Sequence, residues 1–415
     1  PARARAIAAP RTKSYPAEIS KWCTQIPEEE KGEYPIDQSD GGEDDDLDEH
    51  ARWAEELKAL GKNPKAPWTR QTDKLTIQDS DFISDQGEEI WNILEARGID
   101  NVVLLGVHTN MCVLGRPFGL RNMSRYGKNV VLMRDMTDTM YNPARKPFVS
   151  HFTGTDLIVE HIEKWVCPTI TSDQLIGGAA YHFPKDIRPH VVIAMAEREY
   201  QTNESLPKWA LAHLGKDYRV TFVHGNDNDR NDLPGIEVAL QDADLLLVSV
   251  RRRAMPTRQF RAVEHFIESG KPVMGVRTAN HAFSLRGAET PEGCQVWEAF
   301  DAEVFGGSYS GHHGNDVQTR VSAIMSQKSH AILKGVNIEQ VTGKGSLYEV
   351  SPLLPSATAL LSGEIDGTPS EPIAWTNKTK FGGKAFYTSL GHVGDFEQPE
   401  VQKLLKNAVD WLVAK

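Results

Sequence analysis

The stretch Asn101–Val113, NVVLLGVHTNMCV, decides the fold of the first part of this 415-residue chain. It opens with the short apolar run NVVLL, and a second apolar run, NVVLM, spans Asn129–Met133. Helical patterns stand before and between the two runs, over Glu88–Arg97 and Leu114–Tyr126. Short, fully apolar strands that are joined by helices are typical of a parallel sheet covered on both faces. The stretch therefore predicts an α/β domain in this part of the chain.

The same kind of pattern returns in the second half of the chain. A stretch with two prolines, 179–189, interrupts the apolar runs and predicts a linker. Further apolar strands and amphipathic helices follow it, over 190–195, 219–224, 243–250, 257–269, 272–276, 372–376, 385–390 and 399–413. We therefore predict two consecutive three-layer α/β/α domains with mainly parallel sheets, over residues 1–178 and 190–415.

Composition disfavours several classes of protein. The chain has 57 acidic and 46 basic residues, a formal net charge of −11, which disfavours a nucleic acid as partner. Its four cysteines form no C-x-x-C pair, so neither a metal cluster nor a disulfide-rich scaffold is indicated. No apolar run reaches the roughly 18 residues that a membrane-spanning helix needs. We expect no metal, no cofactor and no membrane partner, and the cellular compartment stays open.

Residues 1–75 are polar and irregular, and they contain two acidic runs, Glu28–Glu30 and Glu43–Asp46. Clustered carboxylates suit hard cations such as Ca²⁺. Neither run has the residue spacing of an EF-hand loop, however. We therefore expect both acidic runs to be solvated surface loops, and we predict no regular core strand in this segment.

Cys112 lies just past the first apolar run, where a helix is predicted to begin. Reactive groups gather at the carboxyl ends of strands in open α/β sheets. The N-terminus of a helix lowers the pKa of a thiol, and the thiolate is the reactive nucleophile. Free backbone N–H groups there can also hold the oxyanion that forms when a thiolate attacks a carbonyl carbon. Placement alone leaves two interpretations open, a nucleophile and an inert packing cysteine.

One set of residues around this cysteine carries a family pattern: Gly106–Val113, Arg121, Gly127 and Asp135. Over roughly residues 65–178 the chain resembles the isochorismatase-like cysteine hydrolases, which include nicotinamidases. The resemblance implies that Cys112 attacks a C–N bond of the amide type. It also implies a cis peptide between Val107 and His108, and an oxyanion hole built from the backbone N–H groups of His108 and Cys112.

The resemblance further implies a catalytic lysine and a catalytic aspartate. Arg70 occupies the position where we place the lysine, and Lys74 is the second choice. An arginine can orient a substrate but does not exchange a proton at neutral pH. The family's aspartate ends its first strand, and no apolar strand that ends in aspartate precedes residue 65 here. We therefore expect the first strand and its aspartate to lie upstream of Pro1.

Asp135 and Asp138 follow the second apolar run, and they allow two interpretations. Their carboxylates could line the same cleft as the Cys112 thiol. Alternatively, they accept hydrogen bonds from nearby loop amides, as aspartates in loops often do. We favour the second interpretation, in which both side chains stabilise the loop.

A second family pattern lies in the other half of the chain: Gly306–His313, Ser329–Val336, Pro372–Trp375, Gly382–His392 and Trp411. In order and spacing, this set resembles the ThuA-like (trehalose utilisation) family over about residues 188–415. The resemblance implies a fold like that of the class I glutamine amidotransferases. Their nucleophilic cysteine would follow the strand 272–276, where this chain has Arg277, so we expect no glutaminase chemistry in this half.

Strand ends and a glycine-rich loop of this half supply cationic and imidazole side chains: Arg251, Arg277, His281, His312 and His392. Guanidinium and imidazole groups that converge suit an anionic or polyhydroxyl ligand. We therefore predict a small-molecule pocket formed by some of these residues. A metal held by His312, His313 and His392 is the alternative, but their spacing matches no known metal motif.

The leading functional hypothesis is a cysteine hydrolase that acts on a small metabolite and is fused to a ThuA-like domain. In the alternative, the first half is catalytically silent and the protein is a binding or assembly module. A third hypothesis confines the chemistry to carbohydrate processing by the ThuA-like half. In each case the expected partner is a small-molecule, sugar-related metabolite, and the two family resemblances leave a homo-oligomer open.

Overall fold

The structure is a computed structural model, and it describes residues 1–39, 47–65, 67–314 and 317–414. Contacts divide the chain into two compact units, Pro1–Ile187 and Arg188–Lys415. Each unit combines helices with parallel strands, which confirms the predicted α/β class. Across the described residues, no helix is both long enough and apolar enough to cross a membrane.

The first unit, here called unit 1, is built on a small parallel sheet. Its helices and strands are α1 (Ala2–Ile7), α2 (Leu47–Ala59), α3 (Gly87–Arg97), β1 (Asn101–Val107), α4 (Leu120–Arg125), β2 (Asn129–Asp138), α5 (His151–Trp165), β3 (Thr169–Ile170) and α6 (Asp173–Ile176). The sheet has the order β1-β2-β3, and both strand pairs are parallel. The segment 1–75, predicted to be irregular, contains the helices α1 and α2.

Strand β1 departs from the predicted burial. Val103, Leu105 and Val107 point to the same face of the strand and are between 38% and 60% exposed. Val130 and Leu132 of β2 are buried, by contrast. The prediction of a sheet covered on both faces was therefore wrong for β1, because the described residues leave one face of this strand open.

The helix predicted over Leu114–Tyr126 is much shorter than its apolar pattern suggests. A π-helical turn covers Thr109–Val113, only residues 114–115 continue it as helix, and the next regular helix is α4. Pro117 and Gly119 lie between the two, and Gly119 is the extended residue that precedes α4. Proline lacks the N–H that a helix interior requires, and it therefore interrupts the helix.

Glu29 corrects the prediction that the run Glu28–Glu30 is solvated. Its carboxylate is 2% exposed and lies 2.7 Å from both Nε and Nη2 of Arg121 and 3.0 Å from Nε2 of His161. Burial opposes ionisation of this carboxyl, but the hydrogen bonds from His161 and Arg121 outweigh it and lower its pKa to about 2. The second acidic run, Glu43–Asp46, lies outside the described residues.

The second unit, unit 2, is built around a large sheet. Its main elements are β4 (His190–Ala196), α7 (Thr202–Leu214), β5 (Arg219–His224), α8 (Ile236–Ala239), β6 (Leu245–Val250), β7 (Met255–Pro256), α9 (Thr257–Glu268), β8 (Val273–Val276), β9 (Cys294–Gln295), β10 (Gly311–His313), β11 (Thr319–Ala323), β12 (Thr342–Gly343), β13 (Leu347–Glu349), β14 (Ala357–Glu364), β15 (Glu371–Lys378), β16 (Lys384–Thr388) and α10 (Pro399–Val413).

The large sheet of unit 2 has nine strands in the order β12-β11-β14-β15-β16-β8-β6-β4-β5. The five strands from β16 to β5 are parallel, and the pairs from β12 to β16 are antiparallel. The sheet is thus parallel on one side of β16 and antiparallel on the other. Buried apolar side chains from the sheet form two clusters.

The strand order reverses at β4. The chain passes from β4 to its neighbour β5 and then crosses to β6 on the opposite side of β4. The loops after β4 and β6 therefore leave in opposite directions, and a crevice opens between the carboxyl ends of these strands. Such a crevice is the usual ligand site of an open α/β sheet.

Candidate functional sites

Cys112 lies in the π-helical turn Thr109–Val113, which follows the carboxyl end of β1. The N–H of Val113 donates to the carbonyl oxygen of His108 at 3.1 Å. The peptide between Val107 and His108 is cis, as the family resemblance implied. The side chain of Cys112 is half-buried, so the thiol is neither enclosed in the core nor fully solvated.

Two buried polar residues connect this turn to the end of β2. The hydroxyl oxygens of Thr109 and Thr137 lie 2.6 Å apart, and Thr109 Oγ1 donates to the carbonyl oxygen of Asp138 at 2.9 Å. The Asn110 side chain donates to the carbonyl oxygen of Met140 at 2.8 Å and accepts from its N–H at 3.0 Å. These bonds fix the position of the turn that holds Cys112.

Asp135 and Asp138 lie at the end of β2, and both accept hydrogen bonds from backbone N–H groups, as the favoured interpretation expected. Asp135 accepts hydrogen bonds from the N–H and the hydroxyl of Ser172, at 2.9 and 2.5 Å. Asp138 accepts from the N–H of Thr139 at 3.0 Å and lies 2.9 Å from Nε2 of His151. Burial opposes ionisation of Asp138, but His151 and the other hydrogen-bond donors outweigh it and lower its pKa.

Arg70 and Lys74 lie on the surface of unit 1. Arg70 forms an ion pair with Asp73, three residues further along, and both side chains are more than two-thirds exposed. Lys74 is exposed as well. Among the described residues, no side chain forms a hydrogen bond with the Cys112 thiol. The catalytic roles of Cys112, Arg70 and Lys74, and the oxyanion hole at His108, therefore stay predictions.

In unit 2, the segments that follow β6 and β8 meet at the carboxyl edge of the sheet. The N–H groups of Arg252 and Arg253 donate to the carbonyl oxygens of His281 and Ala282, at 3.1 and 2.8 Å. Arg251, the first residue after β6, has its Nε 2.6 Å from a carboxylate oxygen of Glu199. The sequence placed Arg251 at a strand end, and the backbone bonds bring the segment that carries it to the same edge as the segment after β8.

Arg277 follows β8 and is only 2% exposed. Its guanidinium donates to the carbonyl oxygens of Ser346 and Ser389, at 3.0 and 2.7 Å, and lies over the rings of Tyr200 and Tyr348, 4.6 and 4.2 Å from their centroids. Its φ of +51° belongs to the left-handed region that non-glycine residues rarely adopt. Arg277 therefore packs beneath the edge of the sheet and holds loops together.

His281 forms a compact group with Tyr309, Tyr348 and Arg252, here called the Tyr309 cluster. The His281 ring lies 4.5 Å from the ring centroid of Tyr309 and 5.9 Å from that of Tyr348. The guanidinium of Arg252 lies 5.9 Å from the Tyr309 ring centroid. Burial, reinforced by the positive charges of Arg252 and its neighbours, lowers the pKa of His281 to about 2. The imidazole is therefore neutral at physiological pH.

The three histidines of the alternative metal hypothesis have separate partners. His312 Nδ1 lies 2.8 Å from the hydroxyl of Tyr309, and His313 Nδ1 lies 3.3 Å from Glu349. His392 accepts a hydrogen bond from the N–H of Gly394 at 3.2 Å. His312 and His313, expected on a loop, belong to strand β10. Within the described part of the chain, no group of three potential ligands is placed to hold a metal ion.

A cleft of about 290 Å³ opens at the reversal of strand order, and we call it the switch-point cleft. Its lining includes Glu197, Arg198, Glu199, Arg230, Arg251 and Arg253. These residues come from the segments that follow β4, β5 and β6. The site thus joins side chains from three parallel strands at their carboxyl ends.

Three tyrosines of the site were not predicted from the sequence: Tyr200, Tyr309 and Tyr348. Tyr309 lies in the glycine-rich segment that carries the second family pattern, so its position was marked without its role. Tyr348 reaches the cluster because β13 pairs antiparallel with β10. That pairing joins residues far apart in the chain, and periodicity in one segment cannot reveal it.

A model of the protein family described as "ThuA: Trehalose utilisation" matches residues 190–412. The match confirms the resemblance that the sequence indicated for the second half of the chain. The resemblance of the first half to isochorismatase-like hydrolases stays a prediction. Among curated proteins, none matches this chain.

Solved structures give only weak likenesses. A putative ThuA-like protein from Parabacteroides merdae is 17% identical, with 55% of this chain and 90% of that chain covered and a TM-score of 0.39. A β-galactosidase from Bacillus circulans sp. alkalophilus is 10% identical, with 88% and 66% covered and a TM-score of 0.39. Another, from Rahnella sp. R3, is 12% identical, with 63% and 35% covered and a TM-score of 0.35. At such values, none of these likenesses supports a statement about activity.

Proposed function

Because this chain belongs to the ThuA (trehalose utilisation) family, we propose that unit 2 binds a small polyhydroxyl, sugar-related metabolite at the carboxyl edge of its parallel sheet. The binding site consists of the Tyr309 cluster and the adjoining switch-point cleft. The observation that carries the proposal is the packing of a neutral imidazole, two tyrosine rings and a guanidinium within a few ångströms of one another.

The hydrogen-bonding groups of the cluster match the two roles of a sugar hydroxyl, which both donates and accepts. His281 Nδ1 lies 3.0 Å from the side-chain oxygen of Asn280, and we assign the proton of the neutral ring to this nitrogen because an amide oxygen can only accept. Nε2 of the neutral ring is then an acceptor for a ligand hydroxyl. Arg252, by contrast, has only donors to offer.

The aromatic rings supply the apolar part of the site. Tyr309 and Tyr348 meet edge to face, with ring centroids 4.7 Å apart, which fixes the orientation of both rings. Small-molecule sites are lined mainly by apolar and aromatic side chains, with a few polar groups that fix the ligand. The Tyr309 cluster has this composition, and it lies at the edge of the sheet where such folds bind their ligands.

Calorimetric titration of the full chain with trehalose and with D-glucose tests the proposal. We expect Tyr309→Ala to weaken binding at least about fivefold, because a well-packed aromatic contact is worth more than about 1 kcal/mol. Tyr181→Ala is the matched control, because Tyr181 is a partly exposed tyrosine in unit 1. Binding by the folded Tyr309→Ala variant that equals that of the parent chain would remove the cluster from the site.

A second candidate function is favoured by Cys112, which is half-buried at the carboxyl end of β1. In this proposal the Cys112 thiolate attacks the carbonyl carbon of an amide and forms an S–C bond. The C–N bond then breaks, the amine leaves with a proton, and water hydrolyses the thioester to the free acid. Nicotinamide is the probe, with release of ammonia as the readout. Cys112→Ser should abolish release and Cys294→Ser should not; absence of release by the parent chain counts against this function.

A further inference from the structure

Several arginines at the carboxyl edge of unit 2 have no acidic partner. Arg251 pairs with Glu199, and Arg198 pairs with Asp227. Within the described parts of the chain, no carboxylate forms an ion pair with the remaining guanidinium groups of this edge, those of Arg230, Arg252, Arg253, Arg277 and Arg286. These five guanidinium groups are therefore not held by an ion pair with a carboxylate of the described residues.

Arg253 is the buried member of this group that lines the switch-point cleft. Its side chain is 7% exposed, yet its hydrogen bonds go to neutral carbonyl oxygens: Nε donates to Ala196 at 2.5 Å, and Nη1 donates to Arg230. Its Nη2 has no hydrogen-bond partner among the described residues. Burial, together with the charge of Arg230, lowers the pKa of Arg253 to about 10. A buried guanidinium of this kind is stabilised when an anion approaches it.

The carboxylates that line the switch-point cleft are already engaged. Glu197 accepts hydrogen bonds from the N–H of Tyr200 and from the N–H and hydroxyl of Thr202, each between 2.6 and 2.8 Å. Glu199 is held by Arg251 at 2.6 Å. Arg230 is anchored by a 2.8 Å hydrogen bond from its Nη2 to the carbonyl oxygen of Arg252, and its side chain is exposed. The cleft thus offers guanidinium groups of Arg230 and Arg253 that form no ion pair with a described carboxylate, although Glu197 and Asp229 lie near enough to act on the charge of Arg253.

We infer that the metabolite of unit 2 carries an anionic group, a carboxylate or a phosphate, and that this group binds in the switch-point cleft between Arg230 and Arg253. The inference rests on the proposed sugar-binding function and narrows its substrate class to acidic or phosphorylated sugars. The volume of about 290 Å³ is close to the lower limit of about 300 Å³ for small-molecule sites. It leaves room for one such group and the carbon skeleton next to it.

Calorimetric titration of the full chain with matched probes tests the inference. D-Gluconate and D-glucose 6-phosphate add a carboxylate or a phosphate to a skeleton that D-glucose presents without charge. We expect one of the two to bind about tenfold or more tightly than D-glucose, since a hydrogen bond to a charged group is worth about 1.5–3 kcal/mol. The preference should weaken at high ionic strength, because part of the cleft is open to solvent.

Arg230→Gln should remove this preference, because it should weaken the binding of the anionic probe by about tenfold more than it weakens the binding of D-glucose. Arg253→Gln is tested after Arg230→Gln, because Arg253 is buried and its replacement would also disturb the packing around it. Arg258→Gln is the matched control, since Arg258 is an exposed arginine of unit 2 that pairs with Glu237. Loss of the preference in Arg230→Gln and its retention in Arg258→Gln support the inference.

Three results would overturn it. Equal affinities for D-glucose, D-gluconate and D-glucose 6-phosphate would refute the anionic group and leave the proposed function standing. Inorganic phosphate that binds as tightly as D-glucose 6-phosphate would show a site for a free anion rather than for a sugar. Absence of binding by every sugar probe, trehalose included, would refute the proposed function together with the inference.

Discussion

Replacing Glu29 with glutamine removes the negative charge that Arg121 and His161 share in the interior of unit 1. Both partners are less than a tenth exposed, so water cannot take over the role of the carboxylate. Breaking a buried ion pair by removing one partner typically costs about 3–5 kcal/mol. We expect Glu29→Gln to destabilise unit 1 by this amount.

The pKa of Glu29 gives a second route to the magnitude. It lies near 2 in the folded chain, against an ordinary value of 4.5, and this difference corresponds to about 3 kcal/mol. Because the folded-state pKa is the lower one, the unfolded chain binds more protons between pH 4.5 and about pH 2. This contribution to stability is therefore complete above pH 4.5 and is lost as the pH falls towards 2.

Two buried cysteines report the unfolding of unit 1 separately from that of unit 2. Cys23 and Cys167 are each 6% exposed, and both belong to unit 1. Mass spectrometry of thiol labelling across a urea series gives the midpoint at which these residues become reactive. Glu30→Gln is the matched control, because Glu30 is the exposed neighbour of Glu29. A shift in Glu29→Gln no larger than in Glu30→Gln would refute the argument from the buried ion group.

Three further predictions concern thiols, a histidine and a lysine. Iodoacetamide at neutral pH should label Cys112 much faster than Cys167, because Cys167 is buried and burial raises the pKa of its thiol to about 12; equal rates contradict a reactive Cys112. The ring signals of His281 should stay constant in an NMR titration from pH 8 to pH 4, because its pKa is about 2, and a midpoint near pH 6 would show a solvated ring. Lys128→Met should lower the urea midpoint of unit 1. The Lys128 side chain is 6% exposed, and its ammonium donates to Glu95, Asp100 and a backbone carbonyl. An unchanged midpoint would mean that these ion pairs contribute nothing to stability.

Elements with a strong local pattern were predicted closely. The strand Arg219–His224 and the helix Pro399–Val413 have the bounds that their apolar runs indicated. The helix predicted after Val113 was wrong in length, because the apolar spacing continues through Pro117 although the backbone cannot. Periodicity thus located buried segments reliably, and local backbone chemistry decided where a helix could start.

Long-range contacts set the limit of what the sequence could predict. Glu29 is buried in an ion pair with Arg121, which lies 92 residues further along the chain. Nothing in the run Glu28–Glu30 predicts that contact. Likewise, arginines at strand ends were expected at one edge of the sheet, but the tyrosine rings that pack against Arg277 were not. Which side chains meet there depends on the pairing of β10 with β13 and on the course of the loops.

The position of β16 has a consequence for the order in which unit 2 can assemble during translation. This strand, residues 384–388, lies inside the nine-stranded sheet between β15 and β8, although it is synthesised after every other strand. Until it emerges from the ribosome, β8 and β15 lack the neighbour that joins the two halves of the sheet. Unit 2 should therefore acquire protease resistance only late in synthesis, and its nascent form is a natural client for chaperones that shield open strand edges.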